Sequence, residues 1–313
     1  MPSDERMPRN CSSAETETEM DIERYLSATK KEVEECLDRL LPAETEEPAA
    51  IHRAMRYSIF AGGKRLRPTL ILASGESLGG PRDTLLYLGA CVEMIHTYSL
   101  IHDDLPALDN DDLRRGRPTC HKVFGDAMAV LAGDALLTRF FQLAVDLPHI
   151  PVTARMAIIG EIALAIGTVE GMIGGQVVDL ESEGKPISPP VLEYIHRSKT
   201  GALLTACTRC GAIASECSPE QLRTLSSYGA KVGLAFQIVD DILDVTASSE
   251  KLGKTAGKDA KVKKATYPAL YGIESSRAKA RELVLSAIAD VEDLGPAAEP
   301  LRALARFIDS RNH

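Results

Sequence analysis

Two aspartate clusters carry most of the chemical information in this chain. The first runs Asp103-Asp104-Leu105-Pro106-Ala107-Leu108-Asp109, with Asn110-Asp111-Asp112 directly after it, and the second is Asp240-Asp241-Ile242-Leu243-Asp244. Each lies in an otherwise apolar stretch. Carboxylates gathered there repel one another and are costly to desolvate unless cations bind. Oxygen-rich sites of this kind suit Mg²⁺ or Mn²⁺, commonly shared with a phosphate.

The two clusters differ in geometry. Asp240 and Asp244 are four apart, so on a helix they stack on one face, about 40° apart around the axis. Gln237 lies one turn upstream on that side. A solvated acidic face is the plain alternative, but Ile238, Val239, Ile242, Leu243 and Val245 make the flanks too apolar for it. Asp103 and Asp109 are six apart, about 120° out of register on an ideal helix. Pro106 cannot sit inside a helix without breaking its hydrogen bonding. The spacing therefore predicts a kinked or unwound helix end that swings Asp109 back toward Asp103. A capping turn accounts for one or two of these aspartates, not five in ten positions, and the calcium-loop pattern fails after Asp111.

Basic groups gather beside the acidic ones. Gly62-Gly63-Lys64-Arg65-Leu66-Arg67-Pro68 sets two flexible backbone positions before three cations, a combination able to hold a diphosphate. Arg114 and Arg115 follow the first cluster, and Lys199-Thr200 and the run Lys254 to Lys264 offer further donors. His96, seven residues before Asp103, shares its helix face. The two halves thus imply one anion site bridged by metals and a second that is purely basic.

The elements that position these groups are helical almost throughout. Apolar spacing of three and four predicts helices over 20–41, 48–61, 66–78, 82–105, 125–145, 151–172, 189–214, 219–246, 263–292 and 297–310, with breaks at glycine and proline clusters including Gly174-Gly175. No convincing strand pattern appears. Residues 1–19 are polar and acidic and read as a disordered tail, which leaves 20–313 as one all-α domain. Five acidic residues in that tail argue against an organelle transit peptide.

At 313 residues the chain can bury a large core, and a net charge of −9 argues against a general nucleic-acid binder. The seven cysteines form no disulfide framework and point to a reducing, cytoplasmic setting. Cys207 and Cys210 have CxxC spacing, but in an apolar helix without a second pair they read as core thiols. No run of about 18 uncharged apolar residues exists, so no transmembrane segment is expected.

At these residues the chain resembles the trans-isoprenyl diphosphate synthases. The stretches that carry the resemblance are AGGKRLRP, EMIHTYSLIHDDLPALDNDDLRRGRPTCH, LAGDALL, GGQVVDL, HRSKTGALL, FQIVDDILDV, LGKTAGKD and KKATYPAL, and together they span nearly all of the chain after Met20. The bacterial farnesyl and plant-type geranylgeranyl branch, whose first motif carries two extra residues, is the most similar. The resemblance implies antiparallel helices around a central cavity, a homodimer, and roughly three Mg²⁺ per active site. By motif position, Asp103, Asp104 and Asp109 resemble the first metal site. Asp240 and Asp244 resemble the second, with Asp241 in the same metal set and Gln237 in support. Arg114, Lys199, Thr200, Lys254 and Lys264, again with Gln237, would hold an allylic diphosphate. Gly63, Lys64, Arg67, His96 and Arg115 would hold isopentenyl diphosphate. Tyr98 and Ser99 would set the pocket floor, and an aromatic at Tyr98 favours a C15 over a C20 product. Two other readings stay open: a non-catalytic subunit that tunes a partner synthase, and a helical terpene cyclase or diphosphate hydrolase.

Overall fold

Helix formation begins where the polar N-terminal composition ends. The Asp21 side chain accepts from the Arg24 N–H at 3.0 Å and caps α1 (Ile22–Leu40). The structure is a computed structural model and describes residues 20–246 and 266–311. The tail expected at 1–19 and the predicted ligand residues Lys254 and Lys264 lie outside the described residues.

After α1 come α2 (Ala49–Ile59), α3 (Leu66–Glu76) and α4 (Arg82–Asp103), then a hairpin of two-residue strands, β1 (Leu113–Arg114) and β2 (Arg117–Pro118). Arg115 and Gly116 turn that hairpin, both with positive φ (53° and 76°). The remainder is helical: α5 (Cys120–Phe124), α6 (Asp126–Ala144), α7 (Val152–Ile166), α8 (Met172–Ser182), α9 (Pro189–Ile195), a π turn (His196–Gly201), α10 (Ala202–Ala214), α11 (Pro219–Thr246), α12 (Tyr267–Tyr271), α13 (Ile273–Asp290) and α14 (Glu299–Ser310). The all-α expectation holds. Neighbours in space run α6, α4, α3, α10, α11, α13, and α7 and α8 close the far side against α6, α10 and the π turn. The core is built on α3 and α4, where Leu70, Ile71, Leu72, Leu85, Leu88, Val92, Met94 and Ile95 are fully buried.

Three expectations are corrected. The predicted helix 151–172 ends at Ile166, and a new one starts at Met172. Gly174-Gly175, expected as a break, lies inside α8 instead. A Cβ on Gly174 would strike the Thr168 carbonyl, and one on Gly175 would strike the Lys199 backbone. These glycines permit close packing rather than a turn. The predicted helix 189–214 is interrupted by the π turn, in which the backbone widens for one turn without stopping.

By length and composition α4 and α6 could each cross a bilayer. Most of α4 is buried between α3 and α6, so the fold accounts for its apolarity.

Arg65, grouped above with the ligand-facing cations, points inward. Its guanidinium donates to Glu93 at 2.8 Å, to Glu34 at 3.1 Å and to the Ile59 carbonyl at 2.7 Å, and both Arg65 and Glu93 are only 2% exposed. This pair ties α1, α2 and α4 to the start of α3. Removing one partner strands a buried charge, so Glu93→Ala is expected to cost about 3–5 kcal/mol in denaturant unfolding. A loss below about 1 kcal/mol would mean that water solvates this pair.

Candidate active site

The carboxylates of the first cluster are arranged by the end of α4. The helix stops at Asp103, Asp104 caps it, and Pro106 forbids another turn. The chain then folds back on itself: the Asp109 N–H donates to the Asp103 carbonyl at 2.9 Å, and the Asp111 N–H donates to the Asp104 carbonyl at 3.2 Å. Asn110, at φ 49°, makes the reversal and donates to the Leu105 carbonyl at 3.0 Å. Asp109 is thereby returned to Asp103, as the spacing predicted.

Successive helical residues point about 100° apart, and each Asp-Asp pair is split by that angle. Asp103 is half-buried and accepts from Gln176 Nε2 on α8 at 3.2 Å. Asp104 is 3% exposed, and its two oxygens accept from Arg114 Nε at 2.7 and 2.8 Å. Burial raises the Asp104 pKa, and the Arg114 guanidinium opposes that rise. Arg114, assigned by resemblance to the allylic diphosphate, is thus also the clamp on Asp104.

The second pair repeats the division. Asp240 on α11 is half-buried and meets Arg311 at 3.0 Å. Asp241 is 9% exposed and engaged on both oxygens: Oδ1 accepts from Gln237 Nε2 at 3.3 Å, while Oδ2 accepts from the Tyr267 N–H at 2.8 Å and lies 3.2 Å from His196 Nε2. Its surroundings give Asp241 a supporting part, whereas Asp244, one turn beyond Asp240 and half-buried, continues the Asp240 face.

A polar seam links the two clusters. On α8, Gln176 reaches Asp103, and Asp179, three residues on, accepts from Lys199 Nζ at 2.7 Å. Lys199 and the half-buried Thr200 sit in the π turn, whose first residue, His196, meets Asp241. Gln176, Asp179 and His196 were not singled out from the sequence. The available signal was two polar residues three apart in the apolar GGQVVDL stretch, which places them on one helix face.

The basic groups meet around the loop before α3. Gly62 and Gly63 have φ of 92° and 119°, and Arg115 donates to the Gly62 carbonyl while lying where a Gly63 side chain would be. Arg67 is half-buried with its buried Nε lacking a hydrogen-bond partner. His96 lies at the centre of this positive charge: burial first, then Arg67, Arg115, Arg114 and Arg65, holds its pKa well below 6.5. It is neutral at physiological pH, and four cations converge on it. Lys64 is exposed, with Nζ 4.9 Å above the Phe307 ring. Arg67, His96 and Arg115 are thus brought together, Lys64 stands over Phe307 within the influence of Arg311 and Asp240, and Arg65 is withdrawn.

Tyr98 is 6% exposed, packed edge-on against His102 with its hydroxyl unpartnered, and Ser99 donates to the His96 carbonyl at 2.8 Å. Cys207 and Cys210 are fully buried, and burial pushes the Cys207 thiol up to about 12, as befits core thiols.

Among the described residues, no three acidic, imidazole or thiol groups form a metal centre unaided. Mg²⁺ does not require one. It is usually held by one or two carboxylates plus waters and substrate phosphate oxygens, which suits Asp103 with Asp109 on one side and Asp240 with Asp244 on the other.

The polyprenyl synthetase family profile matches residues 48–299. The chain is 44% identical over 297 residues to a farnesyl diphosphate synthase of Geobacillus stearothermophilus, covering 94% of this chain and 99% of that one. It is 43% identical over 299 residues to a geranylgeranyl diphosphate synthase of Cyanophora paradoxa, covering 95% and 99%. A crystal structure of an FPP/GFPP synthase from Zymomonas mobilis superimposes with a TM-score of 0.84 at 37% identity, covering 92% of this chain and 99% of that one. With this agreement of profile, sequence and architecture, the chain belongs to the polyprenyl synthetase family and has its all-α isoprenoid synthase fold.

Proposed function

We propose that this prenyltransferase performs the Mg²⁺-dependent head-to-tail (1′-4) condensation of isopentenyl diphosphate with dimethylallyl or geranyl diphosphate. Farnesyl diphosphate forms and inorganic diphosphate leaves. The observation that carries this reading is the pairing of two unlike anion sites, one fronted by Asp103, Asp109, Asp240 and Asp244 and one made of arginines around a neutral His96. A reaction that ionises one diphosphate and spares the other requires such a difference.

Mg²⁺, when bound, would neutralise the charge building on the leaving diphosphate. The chain's own groups supply the rest. Lys199, Thr200 and Arg114 hold the allylic diphosphate, with Lys254 and Lys264 joining by resemblance. Lys64, Arg67, His96 and Arg115 hold isopentenyl diphosphate through protein cations instead of bridging metals, so its C–O bond stays intact. The C–O bond of the allylic substrate breaks, and the isopentenyl π electrons form the new C–C bond to the resulting allylic cation. The proton lost in restoring the double bond goes to the released diphosphate. Fixed charges and positioning do most of the protein's work here.

The same reading includes a homodimer in the cytoplasm. Exposed apolar residues on neighbouring helices support self-association: Val130 and Leu131 on α6, and Val152, Met156 and Leu164 along α7. The C20 alternative keeps the same chemistry, and relatives named for each product match at nearly equal identity. Tyr98, bulky and buried five residues before Asp103, favours C15. A cyclase has no use for the arginine site, and a non-catalytic subunit has no need of both aspartate clusters.

Asp103→Ala and Asp240→Ala should each lower kcat on the order of 10²-fold or more with the unfolding midpoint nearly unchanged; near-normal turnover in either would remove the metal assignment. His96→Gln keeps a neutral hydrogen-bonding group, so kcat/KM should stay within about threefold with the pH profile unmoved between 6 and 8. A basic limb that disappears in the variant would show that His96 does titrate there. Incubation with labelled isopentenyl and dimethylallyl diphosphates should give mainly C15, and Tyr98→Ala should shift products to C20 or longer. Dominant C20 from the unaltered enzyme overturns the farnesyl assignment, and turnover of allylic diphosphate alone would favour a cyclase or hydrolase.

A further inference from the structure

We infer that His196 and Asp241 act as a positioning pair, through which the second aspartate cluster sets the π turn that presents Lys199 and Thr200 to the allylic diphosphate. The inference rests on the proposed assignment of Lys199 and Thr200 to that substrate. Its own support is geometric. His196 Nε2 lies 3.2 Å from Asp241 Oδ2, within contact of a single carboxylate oxygen. The His196 ring is 4% exposed and stacks on Tyr267, with centroids 6.0 Å apart and planes 20° apart. The Tyr267 backbone N–H donates to the same Asp241 oxygen at 2.8 Å. One buried carboxylate therefore joins α11, the π turn and the start of α12.

The π turn needs such an anchor. Its backbone departs from the α-helical ladder on both sides, a feature that persists where surrounding contacts determine it. Packing supplies a second constraint: a Cβ on Gly233 of α11 would lie 3.0 Å from the Gly201 Cα, so α11 presses directly on the end of the turn. Lys199 is one helical turn from His196, and its ammonium is aimed by Asp179. A small rotation of the turn would take Lys199 out of reach of a bound diphosphate while leaving Lys64, Arg67, His96 and Arg115 untouched.

The test compares His196→Ala and His196→Gln, the glutamine amide nitrogen standing where Nε2 stands. Binding of geranyl diphosphate with Mg²⁺ and no isopentenyl diphosphate is measured by calorimetry, and KM for isopentenyl diphosphate by steady-state assay. His196→Ala is expected to weaken geranyl diphosphate binding by about tenfold or more while the isopentenyl KM stays within about twofold, and His196→Gln should restore binding to within about threefold. Gly233→Ala, which spares both polar partners but crowds the turn, should show the same selective loss and keeps the test valid if His196→Ala fails to fold. Equal weakening of both substrates, unchanged geranyl diphosphate binding, or no recovery in His196→Gln at an unchanged melting temperature would overturn the pair's role. Failure of the underlying reading looks different: the unaltered enzyme itself would not condense the two diphosphates.

Discussion

The angle between neighbouring side chains on a helix is the constraint on which the rest of this site depends. Two adjacent aspartates cannot both face one ligand from a regular helix. In each cluster the first carboxylate fronts the proposed cavity, and the second turns into the protein, where Arg114 or the trio of Gln237, Tyr267 and His196 receives it. The inward carboxylates orient the elements beside the outward ones. A cluster that reads as a set of equal ligands is thus divided by backbone geometry into groups that face substrate and groups that hold the site together.

The seam through α8 and the π turn makes the two clusters one object. Gln176 on α8 hydrogen-bonds Asp103, Asp179 on the same helix accepts from Lys199, and His196 at the start of the turn approaches Asp241. The close approach is possible because Gly175 lies against the Lys199 backbone. A residue with any side chain there would push the two helices apart and lengthen each of these contacts.

Much of this was legible in the sequence, because it rested on period and local chemistry. Helical spacing located most of the longer helices, though not α5, α8 or the division between α12 and α13 at Gly272, and Pro106 together with the six-residue span foretold the return of Asp109 to Asp103. What stayed hidden depended on tertiary approach. Gly174-Gly175 has the composition of a turn, and only the neighbouring backbone shows that it is a contact. Arg65 sits between Lys64 and Arg67 in a stretch that looks uniformly cationic, yet a left-handed φ of 52° aims it at Glu93 in the core. The π turn has no signature in residue type, since it is a change of backbone bonding from i→i+4 to i→i+5 confined to one turn.

The arginines around His96 have a consequence for folding itself. Arg67, Arg114 and Arg115 repel one another across a partly buried space, and the histidine among them is held uncharged. Repulsion of that kind works against the compact state. A diphosphate entering there would act as the counter-ion that relieves it, and a ligand that binds only the folded chain stabilises that chain. A diphosphate held there would therefore steady the fold as well as take part in chemistry.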